Sequence, residues 1–181
     1  MYFTEQGKPN TKKTIELALQ AAKERSINHI VVASGTGYTA EFLTDSGLNV
    51  VCVTSVSGFT KKGQNDMPNE IQASLSEKGI KLLTASHVLS GVERGLSTKL
   101  GGIYPAEIMA HTLRMFGQGM KVCVEISIMA LDAGFVPHGE KIIAIGGTGR
   151  GADTAVILTP AHAQHVLDTR VHEIICKPNL L

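Results

Sequence analysis

The stretch HIVVASGTGYTAEFL, residues 29–43, decides the fold. Its first half is an unbroken apolar run too short for a globular helix, which reads as a strand buried on both faces. The run breaks into Ser34-Gly35-Thr36-Gly37-Tyr38-Thr39, a small polar corner, and TAEFLTDSG then reads as a short helix closed by Gly47. LNVVCVTS, residues 48–55, repeats the buried-strand pattern, so the unit is strand, helix, strand.

Outward from this unit the alternation continues. Upstream, Ile15, Ala18, Leu19 and Ala22 recur at helical spacing after a start signal at Pro9-Asn10. Downstream, a polar loop leads to Pro68 and a helix carrying Ile71 and Leu75, which Gly79 ends before a third strand, IKLLTAS. HVLSGVERGLSTKLGGIY, residues 87–104, has glycines at 91, 95, 101 and 102 and reads as a functional or mobile loop, with 90–102 a candidate lid. Pro105 opens a helix striped by Ala106, Met109, Leu113 and Phe116. In KVCVEISIMALDAG, Val122, Val124, Ile126 and Ile128 alternate as in a strand, whereas the length and Gly134 suit a buried helix; we read helix.

EKIIAIGG is the fourth strand, followed by a second glycine corner, Gly146-Gly147-Thr148-Gly149-Arg150-Gly151. TAVIL and TRVHEIIC are further strands, with Thr159-Pro160 expected to cap a short helix between them. Strands alternating with helices predict an α/β fold with a largely parallel sheet covered on both faces.

The 181 residues, 43% of them hydrophobic, suffice for one core, and we expect a single domain over 1–181. A formal charge of +1 without a basic stripe argues against nucleic acid as partner. No apolar stretch approaches the length of a membrane span, and the N-terminal decapeptide lacks signal-peptide features, so a cytoplasmic protein is expected. Cys52, Cys123 and Cys176 sit singly in apolar runs and read as buried small hydrophobes, and no histidine grouping has metal-ligand spacing.

In an open α/β sheet, ligands gather beyond the carboxyl ends of the strands, where both glycine corners should lie. Backbone amides at the first corner, with the hydroxyls of Ser34, Thr36 and Thr39 and the close approach allowed by Gly37, suit a phosphate. A plain capped turn explains the same residues. Neither corner matches the P-loop, and the second, though it approaches a dinucleotide fingerprint, runs into a strand rather than a helix.

Residues 29–43, NVVCVTS, MALDAGFVPHGEKIIAIGGTG and the final strands together resemble the C-terminal α/β domain of pyruvate kinase, and more closely the small stand-alone proteins of that fold. The resemblance implies a three-layer α/β/α sandwich of central strand order 3-2-1-4-5 with an antiparallel terminal strand. It also implies that Thr36-Gly37-Tyr38-Thr39-Ala40 matches the phosphate-binding corner, with Tyr38 where pyruvate kinases carry arginine. No catalytic barrel is covered, so pyruvate kinase activity is not implied. The stand-alone members resemble flavin mononucleotide (FMN) binders, which makes FMN the expected cofactor. The expected site comprises the corner Ser34–Thr39, then Ser55, Ser57 and Gly58 after the second strand, and Gly147, Thr148, Gly149 and Arg150 after the fourth.

Function is expected to be flavin-phosphate binding, with a small flavin-dependent oxidoreductase as one form of it; the alternative is a non-catalytic regulatory sensor that binds a sugar phosphate or nucleotide, and a phosphate-ester hydrolase is less favoured. No residue stands out as catalytic acid or nucleophile. Glu125, in an apolar run, is either a functional acid or a paired helix carboxylate. Arg94 and Lys99 are candidates to close over a ligand, His87 is the histidine nearest the site, and Tyr38, Phe59 and Tyr104 are candidates to stack on a flavin. TRVHEIIC offers an edge for self-association.

Overall fold

The computed structural model describes residues 1–179. Seven strands form one sheet: β1 (Tyr2–Phe3), β2 (His29–Ala33), β3 (Asn49–Val53), β4 (Lys81–Leu83), β5 (Ile142–Gly146), β6 (Thr154–Thr159) and β7 (Arg170–Pro178). The helices are α1 (Thr11–Glu24), α2 (Tyr38–Glu41), α3 (Asn69–Glu77), α4 (Gly91–Leu100), α5 (Pro105–Arg114) and α6 (Gln118–Asp132).

The order across the sheet is β1-β7-β6-β5-β2-β3-β4. Counting strands from the opening HIVVA, this contains the expected 3-2-1-4-5. β2, β3, β4 and β5 run parallel, and the antiparallel end consists of β6, which pairs antiparallel with both β5 and β7. β1, which the sequence reading did not include, adds parallel to the far end of β7 through Tyr2 and Phe3 only. Lys177 and Pro178 lie beyond TRVHEIIC, so among the described residues the edge expected on that stretch is met only where the Met1 ammonium donates to the Ile175 carbonyl.

The continuous apolar runs follow from burial on both faces. Ile30 and Val32 of β2, Val50 and Cys52 of β3, and Ile143 and Ile145 of β5 join one core with Ile15, Ala18 and Ala22 of α1. The alternate residues Val31, Val51, Val53, Ile142 and Ala144 pack on Ile126, Ile128 and other residues of α6. The helix reading of 121–134 holds: α6 is buried over nearly its whole length, so a one-sided stripe is missing and only its length and the closing Gly134 identified it.

Three local expectations change. The segment 87–104 is not a bare loop, because ten of its residues form α4. Gly91, its first residue, and Gly101, just past its end, have positive φ and only Gly95 lies in its interior, so the glycines punctuate the helix rather than prevent it. The helix after the first corner shrinks to the single turn α2. Thr159 ends β6 and bonds His172, while the following 3-10 turn, Ala163–Asp168, has its first amide held by Asp132 of α6.

All three cysteines are buried and unpaired, and burial pushes the Cys52 thiol up to about 12 and raises Cys123 and Cys176 as well. Native protein should therefore react slowly with a thiol reagent and label fully only after denaturation. Rapid labelling of all three thiols in the native state would contradict this packing.

Candidate functional site

β2 and β5 are adjacent and parallel, so the two glycine corners leave the sheet side by side at its carboxyl edge. At the first corner, Ser34 is buried and its Oγ accepts the amide of Thr39 at 3.2 Å. Gly37 adopts φ +93°, which turns the chain into α2. Among the described residues, the amides of Gly35, Thr36, Gly37 and Tyr38 donate no hydrogen bond. Thr36 is exposed, whereas Thr39 is buried and points away from solvent. Helix-dipole attraction, expected from a longer helix, is weak for one turn, which leaves the free amides as the corner's main hydrogen-bond donors.

Ser55, following β3, closes the side of this corner: a Cβ on Gly35 would lie 2.7 Å from its Oγ. Ser57 is exposed, and Gly58, at φ +88°, forms a turn held by its amide on the Gln64 carbonyl at 2.7 Å. Phe59, on the same turn, is exposed.

The second corner joins antiparallel β5 and β6 and is braced from within. Asp153 is fully buried, and its Oδ2 accepts the amides of Thr148 at 3.1 Å and Gly7 at 2.8 Å. Its Oδ1 accepts the Thr154 hydroxyl at 2.7 Å, and the Ala152 amide donates to Thr11 Oγ1 at 3.0 Å. Gly147 is hemmed in by the Gly151 carbonyl, while Gly149 has open space and Arg150 is exposed.

These bonds lay the N-terminal segment against the second corner, and Lys8 extends from it to the first. Its ammonium lies 4.7 Å from the centroid of the Tyr38 ring. Lys8 thus supplies an exposed positive charge between the corners. The sequence reading missed it, because no local pattern ties residue 8 to residue 38. Asp153 was also missed, although an Asp directly before a strand and after a glycine run is a turn-bracing signal.

The other candidates disperse. Tyr104 starts α5, its amide on Glu107 Oε2 at 3.3 Å, and Lys99 is exposed on α4. Arg94 lines a separate cleft with α5. Glu125 resolves as a paired carboxylate: it is buried, forms an ion pair with Lys121, accepts the Leu89 amide at 3.0 Å, and lies 3.5 Å from His87 Nδ1. His87 Nε2 sits 3.2 Å from the Thr54 carbonyl at the end of β3. The bond with Glu125 raises the pKa of His87. Burial works against ionisation of Glu125, but His87 and Lys121 outweigh it and the net shift is downward. Among the described residues, no group of three or more His, Cys, Asp and Glu side chains is arranged to hold a metal, and no helix is long and apolar enough to cross a membrane.

Among solved structures, a pyruvate kinase from Cryptosporidium parvum is similar at 13% identity and a TM-score of 0.41, over 83% of this chain and 23% of that one. Cryptosporidium parvum pyruvate kinase in complex with ADP is similar at 13% identity and a TM-score of 0.38, over 81% of this chain and 22% of that one. The chain therefore spans less than a quarter of the length of those enzymes. The profile described as pyruvate kinase, alpha/beta domain, matches residues 12–158, and the chain belongs to that family.

Proposed function

We propose that this chain is a cytoplasmic protein that binds flavin mononucleotide through its phosphate, at the corner Ser34–Thr39, and serves as a small flavoprotein. One observation carries the reading: four consecutive amides that donate no hydrogen bond, Gly35 to Tyr38, lie at the same sheet edge as the second glycine corner, with the Lys8 ammonium between the two corners. Successive free N–H groups beside a cation suit a phosphate dianion. Thr36 adds an exposed hydroxyl, Arg150 a second cation at the tip of the neighbouring corner, and Phe59 an exposed ring for an isoalloxazine face. When bound, the flavin would supply the electron chemistry; the protein's residues hold the phosphate and shape the surroundings of the ring.

Gly37→Val is a poor probe of this site, since a Cβ at Gly37 meets Ile71 of α3 and the backbone there is left-handed. The test is fluorescence titration of wild type, Thr36→Ala and Lys8→Met with FMN and riboflavin. FMN should bind far more tightly than riboflavin. Each substitution should weaken FMN about tenfold, the loss expected for one charge-assisted hydrogen bond, and leave riboflavin unchanged. Equal binding of FMN and riboflavin by the folded wild type would reduce the corner to a capped turn. Colourless protein that binds another phosphate ester there would favour a sensor.

A further inference from the structure

We propose that the cleft between α4 and α5 is a second binding site, for a small oxyanion-bearing metabolite, with Arg94 and Arg114 as its clamp. The cleft has a volume of about 290 Å³, and Leu89, Ser90, Ser97, Thr98 and His111 line it with the two arginines. None of these residues belongs to the glycine corners. The volume falls just below the range of roughly 300–1,000 Å³ that houses drug-sized ligands, so the occupant is smaller than a flavin nucleotide.

The charges decide the ligand class. The Arg94 guanidinium has no hydrogen-bond or ion-pair partner among the described residues, and Arg114 uses only Nε, on Gln118 Oε1 at 2.7 Å. Both retain terminal N–H donors in the planar fork that grips a carboxylate or phosphate. The acid in the lining, Glu107, keeps its negative charge, but its Oε1 already accepts the Ser97 hydroxyl at 2.6 Å and its Oε2 the Tyr104 amide, and the two arginines outweigh it, so the lining stays net positive. Hydroxyls of Ser90 and Thr98 remain to bond the body of the ligand.

The interior also registers this positive field. Lys121 has a lowered pKa chiefly through burial, and the like charges of Arg114 and Arg94 add to the shift although an ion pair with Glu125 opposes it. Leu89 links the two regions, lining the cleft while its amide donates to Glu125. An oxyanion between the guanidinium groups would relieve the repulsion on Lys121 and dock against the segment that Glu125 anchors. The shared chemistry is a phosphate monoester or a dicarboxylate.

The test titrates the full chain with inorganic phosphate and with malonate, following backbone amide resonances by NMR. Both probes should shift Ser90, Thr98 and their neighbours in α4 and α5, and the tighter probe identifies the class. Arg94→Gln and Arg114→Gln should each raise the Kd at this cleft about tenfold or more while leaving FMN binding unchanged. Shifts confined to 34–39 and 147–150, absence of shifts with either probe, or unaltered affinity at the cleft in both folded variants would each overturn the proposal. The wild-type titration decides the matter by itself if either variant fails to fold. It separates this cleft from the glycine corners, because each has its own resonances.

Discussion

Gly119→Ala should destabilise the protein by about 1–3 kcal/mol, although alanine ordinarily favours a helix over glycine by about 1 kcal/mol. Gly119 is the second residue of α6, where that helix passes over the start of β6. A Cβ there would lie 2.5 Å from the Thr154 Cβ and 2.8 Å from Asp153 Oδ1, and would also strike the Thr154 hydroxyl. Relief requires the helix to lift or Asp153 to move. Asp153 holds the amides of Gly7 and Thr148, so its displacement would loosen both the N-terminal segment and the second glycine corner. Urea unfolding midpoints at neutral pH would measure the loss, and FMN affinity would report on the corner. A variant as stable as the wild type, or more so, would show that α6 does not pack this closely on β6.

The parts of the fold legible in the sequence are those where one local pattern has one physical cause. IVVA, VVCV and IIAIG are apolar throughout because residues such as Val31 and Val32 enter opposite cores, and a strand is the element that exposes both faces this way. Strand order followed from the family resemblance rather than from any residue pattern. α4 was obscured because its glycines looked like a loop and its apolar residues, Val92, Leu96 and Leu100, face solvent instead of a core. β1 is two residues long and exists through pairing with β7, a contact spanning the whole chain.

The candidate site divides along the same line. Ser34, Gly35, Thr36 and Gly37 announced themselves as a corner, and the corner lies where an α/β sheet presents its ligands. The inward direction of Thr39 was not legible, because a one-turn helix sets its orientation and a longer one was expected. Lys8 reaches Tyr38 only after Asp153 has fixed Gly7. Glu125 drew attention as an acid in an apolar run, and Lys121 stands one helical turn before it, but His87 and the Leu89 amide arrive from the strand β4 side through tertiary packing.

That buried cluster carries the largest expected effect. Glu125→Gln should cost about 3–5 kcal/mol near neutral pH, because it strands the Lys121 ammonium, which is only 4% exposed, without its counter-charge. The amide of glutamine can still accept the Leu89 N–H, so the loss reports on charge rather than on volume. The pH dependence supplies an independent signature. His87 has a raised pKa in the folded state, so its contribution to stability is complete below its unfolded value of about 6.5 and is lost as pH rises through the folded one. Glu125 is shifted the other way: its contribution is present above the unfolded carboxylate value and is lost as pH falls through the lowered folded one. Wild type should therefore lose some stability above about pH 6.5 through His87, and Glu125→Gln should flatten that slope because the bond that raises His87 is gone. Urea midpoints of wild type, Glu125→Gln and His87→Gln from about pH 5 to pH 8 would test both parts. A loss below about 1 kcal/mol in Glu125→Gln, or a slope that survives in it unchanged, would mean that Lys121 and His87 draw their stability from groups other than this carboxylate.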